Sequence, residues 1–157
     1  MTIEDLVFAT DREDSGAVSM LDLYLGAEGE DVPMVVFVDG QGLSRKTRTA
    51  LPTALAERGV NVAVLDGHPG VTPEASLAGA GGGLRELVET VACAVRFARG
   101  SEYGSETAPL VLSGFSYGGG SGSHVALAGD DFASLWDEFD GSGGPPSQVE
   151  CTTEGST

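Results

Sequence analysis

The chain has 157 residues, a length that fits one domain with a real core, and it carries 24 acidic residues against 8 basic ones for a formal charge of −16. Such a surface repels phosphate backbones and anionic lipid, which argues against nucleic acid and membrane as partners, and no apolar stretch approaches a membrane span. The start, Met1-Thr2-Ile3-Glu4-Asp5, has neither the basic nor the apolar region of a secretory signal, so the expected compartment is the cytoplasm.

Residues 3–9 and 18–25 are predicted as two strands of an antiparallel hairpin turning at Asp14-Ser15-Gly16, with Met20, Asp22 and Tyr24 alternating against Leu21, Leu23 and Leu25. Residues 32–38 form a continuous apolar run, the composition of a strand covered on both faces, and end in the tight turn Asp39-Gly40-Gln41-Gly42-Leu43. Residues 44–50 are basic and ambiguous. A short helix is predicted at 51–58, with Pro52 in its first turn and Gly59 as terminator. A buried strand follows at 60–65, and Asp66-Gly67-His68-Pro69-Gly70 opens a glycine-rich loop running to about residue 83. Leu84, Leu87, Val88, Val91, Val95 and Ala98 recur at helical spacing, so an amphipathic helix ending at Gly100 is expected. Residues 109–113 read as a strand, 123–128 as helix, 132–139 as a short helix carrying Trp136, 141–146 as a Gly-Pro turn and 148–153 as a last strand.

Strands alternating with helices after an antiparallel start predict a single α/β domain with a mostly parallel sheet, an antiparallel N-terminal hairpin and helices on both faces. Ligands bind beyond the carboxyl ends of such strands, where the turns at 39–43, 66–70 and 114–118 are expected to converge on one crevice. Cys93 and Cys151 set no disulfide framework and read as small buried hydrophobes. No Cys-x-x-Cys or His-x-x-x-His spacing offers a metal site, no cofactor is expected, and the acidic stretches read as solvated surface.

The most informative stretch is Leu110-Val111-Leu112-Ser113-Gly114-Phe115-Ser116-Tyr117-Gly118-Gly119, an apolar run ending in Gly-x-Ser-x-Gly. A serine perched between strand and helix needs neighbours without bulk, which Gly114 and Gly118 supply, and the turn aims the first helical N–H groups at whatever the serine attacks. Glycine makes up 24 of the 157 residues, so the competing reading is a glycine-rich linker at 118–122; the strand before and the helix after favour the elbow.

Taken with the hairpin ending in Leu21-Asp22-Leu23-Tyr24-Leu25 and the run Val35-Val36-Phe37-Val38-Asp39-Gly40-Gln41-Gly42, this stretch resembles the α/β-hydrolase superfamily, and within it the carboxylesterase and hormone-sensitive-lipase-like branch. The resemblance covers roughly residues 1–153 and places them on the first six strands of an eight-stranded sheet. It implies a serine hydrolase acting on a small-molecule ester through an acyl-enzyme on Ser116. Backbone amides of Gln41, Gly42 and Tyr117 would form the oxyanion hole, with Gly114 and Gly118 as the elbow glycines. Asp39 stands where that branch usually has histidine, and a carboxylate there is unfavourable unless it turns away or serves only the turn.

The resemblance also implies an acid and a histidine later in the chain than the serine. Residues fit for those roles are missing before Thr157, so the expectation is a truncated product with an exposed sheet edge prone to self-association, inactive by itself. Of the two histidines, His124 lies eight residues beyond Ser116, a rise of about 12 Å on a helix, too far for a hydrogen bond. His68, after the fourth strand, reads first as a turn histidine, with a stand-in base as the lesser alternative. The alternative expectation is a non-catalytic α/β-hydrolase-like protein that binds a ligand or partner through the same crevice.

Overall fold

The computed structural model of the chain describes residues 1–11, 18–29, 31–40, 42–67, 82–105, 107–129 and 149–152. In chain order they form β1 (Thr2–Asp11), β2 (Val18–Tyr24), β3 (Met34–Val38), a single 3₁₀ turn (Arg45–Thr47), α1 (Ala50–Ala56), β4 (Asn61–Leu65), α2 (Gly82–Gly100), β5 (Leu110–Gly114), α3 (Tyr117–Ala128) and β6 (Val149–Cys151). The hairpin turn at 14–16, the segment 68–81 and the elements expected at 132–146 lie outside the described residues.

The strands build one sheet in the order β5-β3-β4-β2-β1-β6. Only β3 makes parallel pairs, with β4 and β5; β2 runs antiparallel to β4, and β1 antiparallel to both β2 and β6. The sheet is therefore mixed and mostly antiparallel, which corrects the expectation of a mostly parallel one. The hairpin occupies two of six places, and β6 adds a third antiparallel pairing.

The last strand is also elsewhere than expected. Instead of extending the sheet beside β5 it lies at the opposite edge, with Ala9 opposite Cys151 and Asp11 opposite Val149. The Thr152 N–H donates to the Phe8 carbonyl at 3.0 Å, and Cys151 is bonded to Cys93 of α2 with 5.1 Å between Cα atoms. The reading of the two cysteines as unpaired hydrophobes is thus half overturned: Cys93 is buried in the core, but its sulfur is a crosslink. Sequence spacing could not show this, because 58 residues separate the pair and the fold alone brings them together. Among the described residues β5 is the other edge, with Val111 exposed.

Side-chain alternation sorts the strands into two layers. Leu21, Leu23, Met34, Val36, Ala63 and Leu65 face α2 and pack on Cys93, Ala94, Phe97 and Ala98. Tyr24, Val62 and Val64 point the other way, toward Leu55 and Ala56 of α1. Helices therefore cover both faces, as expected. Of the predicted helical stripe, Leu87, Val88, Val91 and Ala98 are buried. Leu87, Val88 and Val91 each contribute about 1.5–3 kcal/mol by leaving water. No described helix is long and apolar enough to cross a membrane.

One buried polar residue ties the loops at the far end of the sheet from the candidate site. Asn61 accepts from the Gly26 N–H at 2.9 Å and donates to the Tyr103 carbonyl at 3.3 Å. Buried amide groups are tolerated when paired in this way.

Candidate functional site

Gly114 ends β5 and Tyr117 begins α3, so the reversal from strand to helix is confined to Phe115 and Ser116. Ser116 takes φ 54° and ψ −119°, a conformation that side-chain-bearing residues adopt at a cost of order 1–3 kcal/mol. Its side chain does not cap the helix it precedes, and the residue is exposed. The hydroxyl is therefore presented outward rather than spent on local structure.

The two motif glycines are dictated by packing rather than by flexibility. A Cβ on Gly118 would fall 2.2 Å from the Val38 carbonyl oxygen and 2.5 Å from that of Asp39; one on Gly114 would fall 2.5 Å from the Gly118 carbonyl carbon. The first turn of α3 thus lies directly against the end of β3, and the Phe115 N–H donates to the Val38 carbonyl at 3.0 Å. The tract 118–122 is helix, not linker, despite a penalty of about 1 kcal/mol per glycine relative to alanine. Ser121 and Ser123 return their hydroxyls to carbonyls of the preceding turn. The turn's own hydrogen bonds begin with Gly118 N–H to Phe115 O and Gly119 N–H to Ser116 O, leaving the Tyr117 N–H outside them.

The loop after β3 packs on this turn. Leu43 N–H closes onto the Gly40 carbonyl at 3.0 Å, and Gly42 sits at φ 69°, a value that favours glycine. Gln41 and His68 lie outside the described residues. His124 is on the exposed side of α3, its Nδ1 2.9 Å from the Gly120 carbonyl.

Asp39 does not project a charge into the open. Its carboxylate is fully buried; Oδ1 accepts from the Gly40 N–H at 2.8 Å and pairs with Arg48 Nε at 3.0 Å. Oδ2 is buried with no hydrogen-bond partner among the described residues. The turn-forming role is therefore realised, and a cation joins it. The Arg48 guanidinium lies over the Phe115 ring, 4.5 Å from its centroid. No sequence spacing pointed to Arg48. The one available signal was that three of the chain's eight cations crowd into residues 45–48, the segment that fitted no element.

The other two cations of that segment hold an acidic cluster on the α1 side of the sheet. A bulge between Ile3 and Leu6 puts Asp5 at φ 59°, where its N–H donates to Asp22 Oδ1 at 3.0 Å. The buried Arg45 pairs with Asp22 through Nε at 3.1 Å and with Asp66 and Asp5 through its terminal nitrogens. Lys46 reaches Glu4 at 2.9 Å and Asp22 at 3.1 Å. Burial opposes the Arg45 charge, yet hydrogen bonds to Asp22 and Asp5 outweigh it and raise its pKa. The Lys46 pKa is raised chiefly by the hydrogen bond to Glu4. Asp22, expected from strand alternation to face away from the leucines, does so but is buried by these cations. The cluster anchors the 3₁₀ turn to β2 and β4, and so fixes the approach of Arg48 to the Ser116 turn.

A pH dependence follows. Hydrogen bonds from Lys46 and then Arg45 lower the Asp5 pKa below its ordinary 3.8, so the deprotonated form favours the fold. That contribution is complete above the unfolded value and is lost as pH falls through the lower folded one. Urea midpoints measured from pH 6 down to pH 3 are expected to fall less steeply for Asp5→Asn than for the parent chain; identical slopes would count against the cluster.

A cavity of about 370 Å³ opens at the carboxyl ends of β3 and β4, lined by Val38, Gly42, Leu43, Asp66 and Gly67, with Phe8, Met20, Leu87 and Thr90 among the remaining walls. Two of the three loops expected to converge thus share one hollow. The Ser116 turn does not line it, although the first turn of α3 rests against the carbonyl of Val38, one of the lining residues. Among the described residues no group of three or more His, Cys, Asp and Glu is placed to hold a metal ion. Comparison of the chain with protein-family models, with curated proteins and with solved structures finds no match in any of the three.

Proposed function

We propose that the chain is a serine hydrolase of α/β-hydrolase type, acting on a small-molecule ester. The observation that carries the proposal is Ser116 at φ 54° and ψ −119°, exposed, outside any capping bond, between a strand and a helix whose contact demands Gly114 and Gly118. In the proposed reaction Ser116 Oγ adds to the acyl carbonyl while its proton passes to a base. The N–H of Tyr117 and one from the loop after β3, at Gln41 or Gly42, receive the oxyanion. Collapse expels the alcohol, which takes that proton, and water then cleaves the acyl-serine. His68, two residues after Asp66, is the candidate base within this sequence.

A fluorophosphonate probe tests the proposal, because one phosphonylation, in which Ser116 Oγ displaces fluoride, needs the exposed hydroxyl, the oxyanion donors and the base that takes the serine proton, even where turnover is slow. Stoichiometric labelling at Ser116, abolished in Ser116→Ala, is expected. A folded chain left unlabelled would overturn it.

The binding-protein reading is favoured by the separation of the 370 Å³ cavity from the Ser116 turn. It requires ligand binding that survives Ser116→Ala.

A further inference from the structure

We infer that Arg48 is a specificity residue that reads a carboxylate on the substrate, so that the esters taken by this site carry an acid group near the scissile bond. The inference rests on the reading of Ser116 as nucleophile. Three observations lead to it. The guanidinium is pinned at two points: Nε is held at 3.0 Å by the fully buried Asp39 carboxylate, and Cζ lies over the Phe115 ring, 4.5 Å from its centroid. Phe115 is the residue immediately before Ser116, so the pinned group stands at the rim of the serine turn. Arg48 is exposed, and no other described residue accepts from its two terminal nitrogens.

An arginine fixed through Nε and one face has its remaining edge preorganised as a planar two-pronged donor, the geometry that matches a carboxylate. The pairing with Asp39 stabilises that orientation, while burial keeps the Asp39 carboxylate from competing for solvent-side contacts. In a chain with 24 acids and 8 bases, an outward-facing cation at the serine turn also runs against the general surface charge. Lys46 and Arg45, its neighbours, are both taken up by carboxylates.

The test compares labelling rates of two fluorophosphonates of equal length, one ending in a carboxylate and one in a neutral amide. The parent chain should prefer the anionic probe, and Arg48→Gln, which can still donate to Asp39, should lower the anionic-to-neutral ratio about ten-fold or more. Arg48→Lys, keeping charge without the fork, should restore part of the ratio. Phe115→Leu removes the stacking surface but leaves the Asp39 pair, so a reduced ratio there carries the test if Arg48→Gln does not fold. A ratio unchanged in these variants while Ser116 still labels would overturn the role of Arg48 alone. Labelling by neither probe would overturn the nucleophile reading and this inference with it.

Discussion

A chain with Cys93 and Cys151 both replaced by alanine is expected to lose about 4 kcal/mol of stability, from the loop entropy released when a crosslink spanning 58 residues is removed. The effect should be large because the bond ties the edge strand β6 to the core helix α2. Among the described residues β6 is three residues long and pairs with β1 alone, whereas Cys93 lies deep in the α2 layer among Ala94, Phe97 and the strand side chains. Reducing the parent chain provides the control, since thiols keep nearly the same volume and only the bond is lost. Urea unfolding of the parent should shift strongly on adding a phosphine reductant, and the double variant should not shift. Coincident curves for oxidised and reduced parent would argue against the bond. The crosslink also bears on the expectation of a cytoplasmic compartment, because thiols are kept reduced there and a structural disulfide persists in oxidising surroundings.

Gly118→Ala is expected to destabilise the fold by about 3 kcal/mol or more, because the new methyl meets two backbone carbonyls at 2.2 and 2.5 Å and neither can rotate away. The helix would have to retreat from β3, carrying Ser116 and the Tyr117 amide with it, so probe labelling should fall together with stability. Gly120→Ala makes the contrast. Nothing lies within 4 Å of its Cβ position, and alanine in a helix is favoured by about 1 kcal/mol, so that variant should be slightly stabilised. Thermal unfolding of the two variants separates a packed helix from a flexible glycine tract, in which both substitutions would be nearly neutral.

Much of the local structure was legible from residues alone. Period-two alternation in 18–25 placed Leu21 and Leu23 on one face and Asp22 and Tyr24 on the other, though both faces are buried, and the helical recurrence marked Leu87, Val88, Val91 and Ala98 as the buried face of α2. The strand-turn-helix around Ser116 was legible for a related reason: glycine at 114 and 118 is a steric requirement, and steric requirements on the backbone leave a mark on the sequence. Arg48 was not legible. Its partners are Asp39, nine residues back, and Phe115, from the turn after β5; only the meeting of the β3 and β5 ends creates the site.

By itself, then, the sequence determined most of the described elements, the two-sided burial of β3 and the position of a serine between a strand and a helix, because these depend on side-chain period and local backbone sterics. Tertiary structure alone decided the mixed order of the sheet, the placement of β6 beside β1, the Cys93–Cys151 bond and the company kept by Asp39. Each of these is a contact between residues far apart in the chain, and pairing across such distances is chosen by the packing of the whole sheet rather than by any pattern along one segment.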